Sequence, residues 1–178
     1  MPAPKPPLRL AFVRSLGRVL GVVCYVVGKA FRSSALQAMG LPSVAEWSFR
    51  RGQMAAASAR AVQLLKLAET EPNDWNYGNA VHKGHLMLGR VAFARGDIAM
   101  AEAELLASAR TPGSPQLSSF GPNMQLALDL LEAGRKDSVL EYFRLCEKFW
   151  ETGQSQLHDW ASEIEHGRVP SFGGNLLY

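Results

Sequence analysis

Residues 85–112, HLMLGRVAFARGDIAMAEAELLASARTP, read as helix, turn, helix and stop. Apolar residues recur three and four apart on both sides of Arg95-Gly96-Asp97, and Pro112 blocks continuation of the second helix. The pattern recurs along the chain. A shift of 40 superposes Ala61 on Ala101, Leu65 on Leu105, Ala68 on Ser108 and Pro72 on Pro112. A shift of 38 superposes Gly89 on Ala127, Ala92 on Leu130, Gly96 on Gly134 and Leu105 on Phe143. Such a period belongs to stacked helical units. Runs of alternating Val, Ile and Thr, which strands would need, are missing. The expected fold is therefore all-α, with antiparallel helical hairpins stacked as a short array behind an N-terminal amphipathic helix.

Start and stop signals place the elements. The first helix is expected to end at Gly40-Leu41-Pro42-Ser43, where Ser43 and Glu46 form a capping box. Further helices are expected over Val44–Thr70, Trp75–Ala94, Ile98–Arg110, Asn123–Ala133, Asp137–Trp150 and Gln154–Glu165. The tail GRVPSFGGNLLY reads as irregular, and TPGSPQLSSFGPNM, residues 111–124, as an ordered connection anchored by Leu117 and Phe120. Two regions result: 1–40, a proline-rich start and basic helix, and 41–178, the helical-hairpin region with its tail.

These units resemble the tetratricopeptide repeat family. Leu88-Gly89 looks like the family's Leu-Gly pair, Gly96-Asp97 like its inter-helix turn, and Ala101, Leu105 and Ser108 like the small, large and small positions of its second helix. In MQLALDLLEAGRKDSVLEYFRLCEKFW, Ala127 replaces the packing glycine and Val139 the small alanine. AEWSFRRGQMAAASARAVQLLKLAETEP keeps mainly its second helix. Spacings of 38 and 40 exceed the usual ~34. The alternative is a generic helical bundle that mimics the pattern. The resemblance implies a non-enzymatic interaction module or scaffold whose groove takes a protein or peptide partner. Residues 1–40 and 154–178 would then serve as caps.

Charge is distributed unevenly. Residues 1–40 hold Lys5, Arg9, Arg14, Arg18, Lys29 and Arg32 and no acid; the first acid is Glu46. The rest is net acidic and lacks the basic face that nucleic-acid binding needs, so nucleic acid is not the expected partner of the body. MPAPKPP should be extended. In the helix that follows, Arg14, Arg18, Tyr25, Lys29 and Arg32 share one face, while Phe12, Leu16, Val19, Val23, Val26, Val27, Ala30 and Phe31 share the other. Three readings stand. The apolar face packs on the following domain. Alternatively the helix lies on an anionic membrane surface, with Arg14, Arg18, Lys29 and Arg32 as the contacts. Or residues 1–30 are a signal peptide or anchor, with Val19–Val27 as the apolar run. A spanning helix is disfavoured, since about 20 apolar residues are needed and charges interrupt every such window. Cys24 and Cys146 fit no disulfide framework, so buried thiols in a reducing, cytoplasmic setting are expected, with peripheral membrane association open.

Chemistry is thinly marked. His82 and His85, three apart on one helix, could share a metal given further ligands, but HEXXH and paired EXXH motifs are absent. Ser114, Ser118 and Ser119 lack a GxSxG or SxxK setting, and the glycine-rich phosphate loops are not found. No catalytic residue, metal or cofactor is assigned. Trp75, Tyr77, Asn79, His82, His85, Ser119 and Phe120 are the candidate ligand- or partner-binding residues. The rival to a scaffold is an enzyme or small-ligand-binding helical protein using the Trp75–His85 helix and the 111–123 loop. Convergence of the histidines and loop serines in a closed pocket would favour that rival.

Overall fold

The computed structural model describes residues 8–177, with side chains from residue 16 onward. The proline-rich start and the side chains of Phe12 and Arg14 lie outside the described residues. Among the described residues nine α-helices follow one another: α1 Leu8–Ala30, α2 Ser34–Arg50, α3 Met54–Thr70, α4 Tyr77–Ala94, α5 Ile98–Ala109, α6 Pro115–Phe120, α7 Gln125–Glu132, α8 Lys136–Cys146 and α9 Gln154–Glu165. Short 3-10 turns cover Glu151–Gly153 and Gly173–Leu176, and no strand occurs among the described residues.

Consecutive helices pair: α1 with α2, α2 with α3, α3 with α4, α4 with α5. Three hairpins, α2–α3, α4–α5 and α7–α8, turn on one device. Gly52, Gly96 and Gly134 have φ of 72°, 80° and 78°, the left-handed region open to glycine at little cost. In each turn the glycine N–H donates three residues back and the next N–H five back: Gly52 to Phe49 and Gln53 to Ser48, Gly96 to Phe93 and Asp97 to Ala92, Gly134 to Leu131 and Arg135 to Leu130. These are Schellman caps, which satisfy the last carbonyls of the first helix while reversing the chain. Asp97 also caps α5, accepting from Met100 N–H at 3.1 Å.

Keyed on that glycine, the hairpins share one packing register. Seven residues before it stand Ala45, Gly89 and Ala127; five after it, Ala57, Ala101 and Val139; nine after it, Ala61, Leu105 and Phe143. All are buried. A Cβ on Gly89 would lie 2.4 Å from Leu126 and 3.3 Å from the Ala101 carbonyl. Glycine there lets α4 meet both its hairpin partner and the next hairpin.

No heavy atom lies within 4 Å of a Cβ built on Gly96, so Gly96→Ala tests the turn alone. It should cost about 1–2 kcal/mol, the penalty of a left-handed L-residue, in urea unfolding. An unchanged midpoint would contradict the shared turn.

Four expectations are corrected. The break at 40–43 is absent; α2 runs through Pro42, Ser43 is not a cap, and the 40/41 boundary falls inside a helix. The chain instead turns at Arg32, φ 53°, with Ser33 capping Leu36 N–H. Packing is the reason. Cβ atoms on Gly21, Gly28 and Gly40 would come within 3 Å of the opposite helix, and this close seam accompanies a helix that continues through its proline. Second, Val44–Thr70 is not one helix, because Gly52 divides it. Third, the first-to-second register is 44, from Gly52 to Gly96, rather than 40. The two differ by about one helical turn, so the same apolar face aligned under either shift. Fourth, the connection contains α6, capped by Ser114. Leu117 is buried there, but Phe120 is 62% exposed.

Candidate functional site

The start of α4 meets the 111–124 connection. A Cβ on Gly78 would sit 1.8 Å from the Gly113 carbonyl oxygen, so only a bare backbone permits this approach. Asn79, buried beside it, donates to Asn76 Oδ1 at 3.0 Å and accepts from Ser114 Oγ at 2.9 Å. Ser114 in turn accepts from Leu117 N–H at 3.0 Å. This chain of bonds fixes α6 against α4.

One turn on, His82 is 1% exposed. Its Nε2 receives the Asn123 N–H at 3.2 Å, and a backbone amide can only donate. Nε2 is therefore the unprotonated nitrogen, and Nδ1–H donates to the Ser108 carbonyl at 3.0 Å. Phe149 meets the ring edge-on, with centroids 6.4 Å apart. Burial drives the imidazole pKa down to about 4, against the opposing Ser108 hydrogen bond and with help from the Lys83 charge. His82 is thus a neutral bracket joining α4, the end of α5 and the approach to α7. Both nitrogens are occupied, leaving none for a ligand. His85 points to a different partner, Glu104 Oε2 on α5, at 2.7 Å.

The far side of the connection is held by the tail. Asn175 Nδ2 donates to the carbonyls of Phe120 at 3.1 Å and Pro122 at 3.0 Å, and its carbonyl accepts from Met124 N–H at 2.8 Å. Tyr142 OH donates to Asn123 O at 3.1 Å, and Thr152 Oγ1 to Ser118 O at 3.0 Å. Gly121 and Gly153 both press on the Trp150 indole, where added Cβ atoms would fall within 2.3 Å and 2.1 Å. Trp160 packs edge-on to Phe172 at 4.9 Å and beside Trp150 at 5.8 Å.

Of the seven candidate residues, two border an open recess. Trp75 and Tyr77 line an apolar groove with Ala35, Ala38, Met39 and Leu67, rimmed by Glu71 and Asp74. Trp75, 61% exposed, also forms one wall of a polar cleft of about 410 Å³, shared with Ser114, Ser118, Lys148 and Glu151. Asn79 and His82 are buried in the frame, His85 faces Glu104, and Ser119 and Phe120 lie exposed at the end of α6. The seven do not converge. Among the described residues no three His, Cys, Asp or Glu side chains gather as metal ligands. Cys146 is buried, which pushes its thiol pKa well up; Cys24 is only partly buried. The groove's share of α2 escaped the sequence reading, because Met39 and Ala35 carry no signal apart from their place opposite α3.

The fold is that of an all-α array of helical hairpins. No protein-family model matches the chain, and neither a curated protein nor a solved structure matches it.

Proposed function

We propose that the chain is a non-enzymatic interaction module of tetratricopeptide type, a scaffold that holds a peptide or helix of a partner protein. The observation that carries this reading is the repeated hairpin: one glycine turn, one buried register and a small residue seven places before each turn glycine. Trp75 supports it too. It is a large, exposed aromatic standing between an apolar groove and a polar cleft, the composition favoured where proteins grip partners. The histidines and serines that an active site would need are spread over the frame, and His82 has no free nitrogen.

The groove's chemistry narrows the partner. Its rim carries Glu71 and Asp74, with Glu69 nearby in sequence. An apolar-anchored peptide with basic flanks complements it. Random-peptide display on the intact protein should enrich sequences with large apolar residues beside Lys or Arg. Affinity of the selected peptides should fall about tenfold or more for Trp75→Ala, the loss of a hot-spot aromatic, without a change in melting temperature. Failure to enrich any sequence, or peptides indifferent to Trp75→Ala, would count against the reading. We further infer that α1 attaches the module to a membrane surface.

A further inference from the structure

We propose that α1 lies flat on an anionic bilayer through the face it turns away from α2, while its glycine seam keeps it docked on the array. This rests on the reading of α1 as an attachment helix and gives that contact its geometry and lipid class. The basic amphipathic pattern has a natural first interpretation, in which the apolar side faces the protein. The structure reverses it. Gly21 and Gly28 face α2, with Gly40 of α2 against the Gly21 carbonyl and the Tyr25 backbone. Leu16, Val19, Leu20, Val23, Val26 and Phe31 are left exposed, from 49% at Val23 to 79% at Phe31.

What covers this face follows from its width and charge. At 100° per residue, Val26, Val19, Val23, Leu16, Val27 and Leu20 span an arc of about 120°. A two-helix coiled-coil seam uses a narrower stripe, so a broad apolar phase suits the arc better than a second copy of α1. Residues 1–40 supply six bases and no acid. Lys29 and Arg32 are exposed where α1 ends, and long basic side chains beside an apolar face can extend to the headgroup level. No helix among the described residues is long and apolar enough to cross a membrane. An in-plane helix needs no such length, because its apolar face enters the headgroup boundary sideways.

The test is co-sedimentation of the full chain with phosphatidylcholine vesicles, with and without about 30% phosphatidylserine, since anionic lipid attracts basic segments near the surface. Binding should need the anionic lipid and weaken several-fold with added salt. Val23→Asp with Val26→Asp should lower the bound fraction about tenfold at an unchanged melting temperature. Val19→Ser with Val26→Ser, a milder pair, should lower it in the same direction. Lys29→Glu with Arg32→Glu should reduce binding several-fold. No binding by the wild type would overturn the proposal, as would equal binding to neutral vesicles or variants that bind like wild type. A dimer that the Asp pair dissociates, without vesicle binding, would make a second copy the occupant. Peptide capture at Trp75 is read separately, so a failure here leaves that result standing.

Discussion

Lowering the pH from 6.5 to about 4 is expected to destabilise the fold through His82 by on the order of 3 kcal/mol, since each unit of pKa shift corresponds to ~1.4 kcal/mol. The unfolded imidazole takes up its proton near 6.5, whereas in the fold burial holds the pKa to about 4. The unfolded chain therefore binds the proton first as pH falls. His82's contribution is complete above 6.5, declines between 6.5 and 4, and is gone below. Protonation would also set a new Nε2–H against the Asn123 N–H, two donors face to face in a dry site. Glu46 acts at the acid end: burial opposes its charge, but Arg90 and Arg50 outweigh burial and hold its pKa low. Its share is lost only below the ordinary carboxylate value. Asp129, raised by burial, works in the opposite sense. Urea midpoints measured from pH 6.5 to 4.5 in wild type and in His82→Gln isolate the histidine by difference, since Asp129 acts equally in both. In His82→Gln the fold should be weaker at neutral pH, and the slope in that window should shrink. A slope in that window equal in wild type and His82→Gln would sink the account of His82.

Phe172→Ala should cost about 3–5 kcal/mol, the range for truncating a buried aromatic. A tail reading PSFGGNLL would ordinarily be expected to fray. Here Phe172 is 1% exposed, edge-on to Trp160 and to Phe143 at 6.2 Å, while the Trp160 indole N–H donates to the Ser171 carbonyl at 3.2 Å. Asn175 adds the bonds to Phe120 and Pro122. Ending the chain at Gly167 removes all of these together. The expected result is a large fall in melting temperature and fast hydrogen exchange at Met124, whose N–H donates to the Asn175 backbone carbonyl. Exchange there as slow as in the full chain would show that the tail is not the clamp.

The hairpins were legible in sequence because their signals are local. Gly96 and Gly134 end helices by backbone conformation, and Ala101 and Leu105 repeat with the helical period. Gly52 carries the same signal, but the helix-favouring residues around it, from Val44 to Leu67, masked the turn. Pro42 misled for the opposite reason: its signal is local, and the override is tertiary, in the contact of Gly40 with Gly21. The direction of α1 could not be read at all. A helix with a glycine side and a valine side can turn either inward, and only the close approach of α2 decides.

The candidate site divides along the same line. Trp75 and Tyr77, chosen for residue type, border the groove. Asn79 and His82, chosen for the same reason, are absorbed by pairings 26 to 41 residues away in sequence, with Ser108, Ser114 and Asn123. No spacing rule announces those partners. Phe120 and Phe172 share the sequence Ser-Phe-Gly, yet one is exposed and the other sealed in the aromatic cluster.

The most direct measurement sets Trp75→Ala and His82→Gln side by side, reading melting temperature and affinity for a display-selected peptide in each. If the chain is an interaction module on a frame braced by its polar residues, Trp75→Ala loses affinity and keeps its melting temperature. His82→Gln then loses melting temperature, while its folded fraction keeps the affinity. The reverse pattern, with His82 needed for binding and Trp75 needed for folding, would contradict the account.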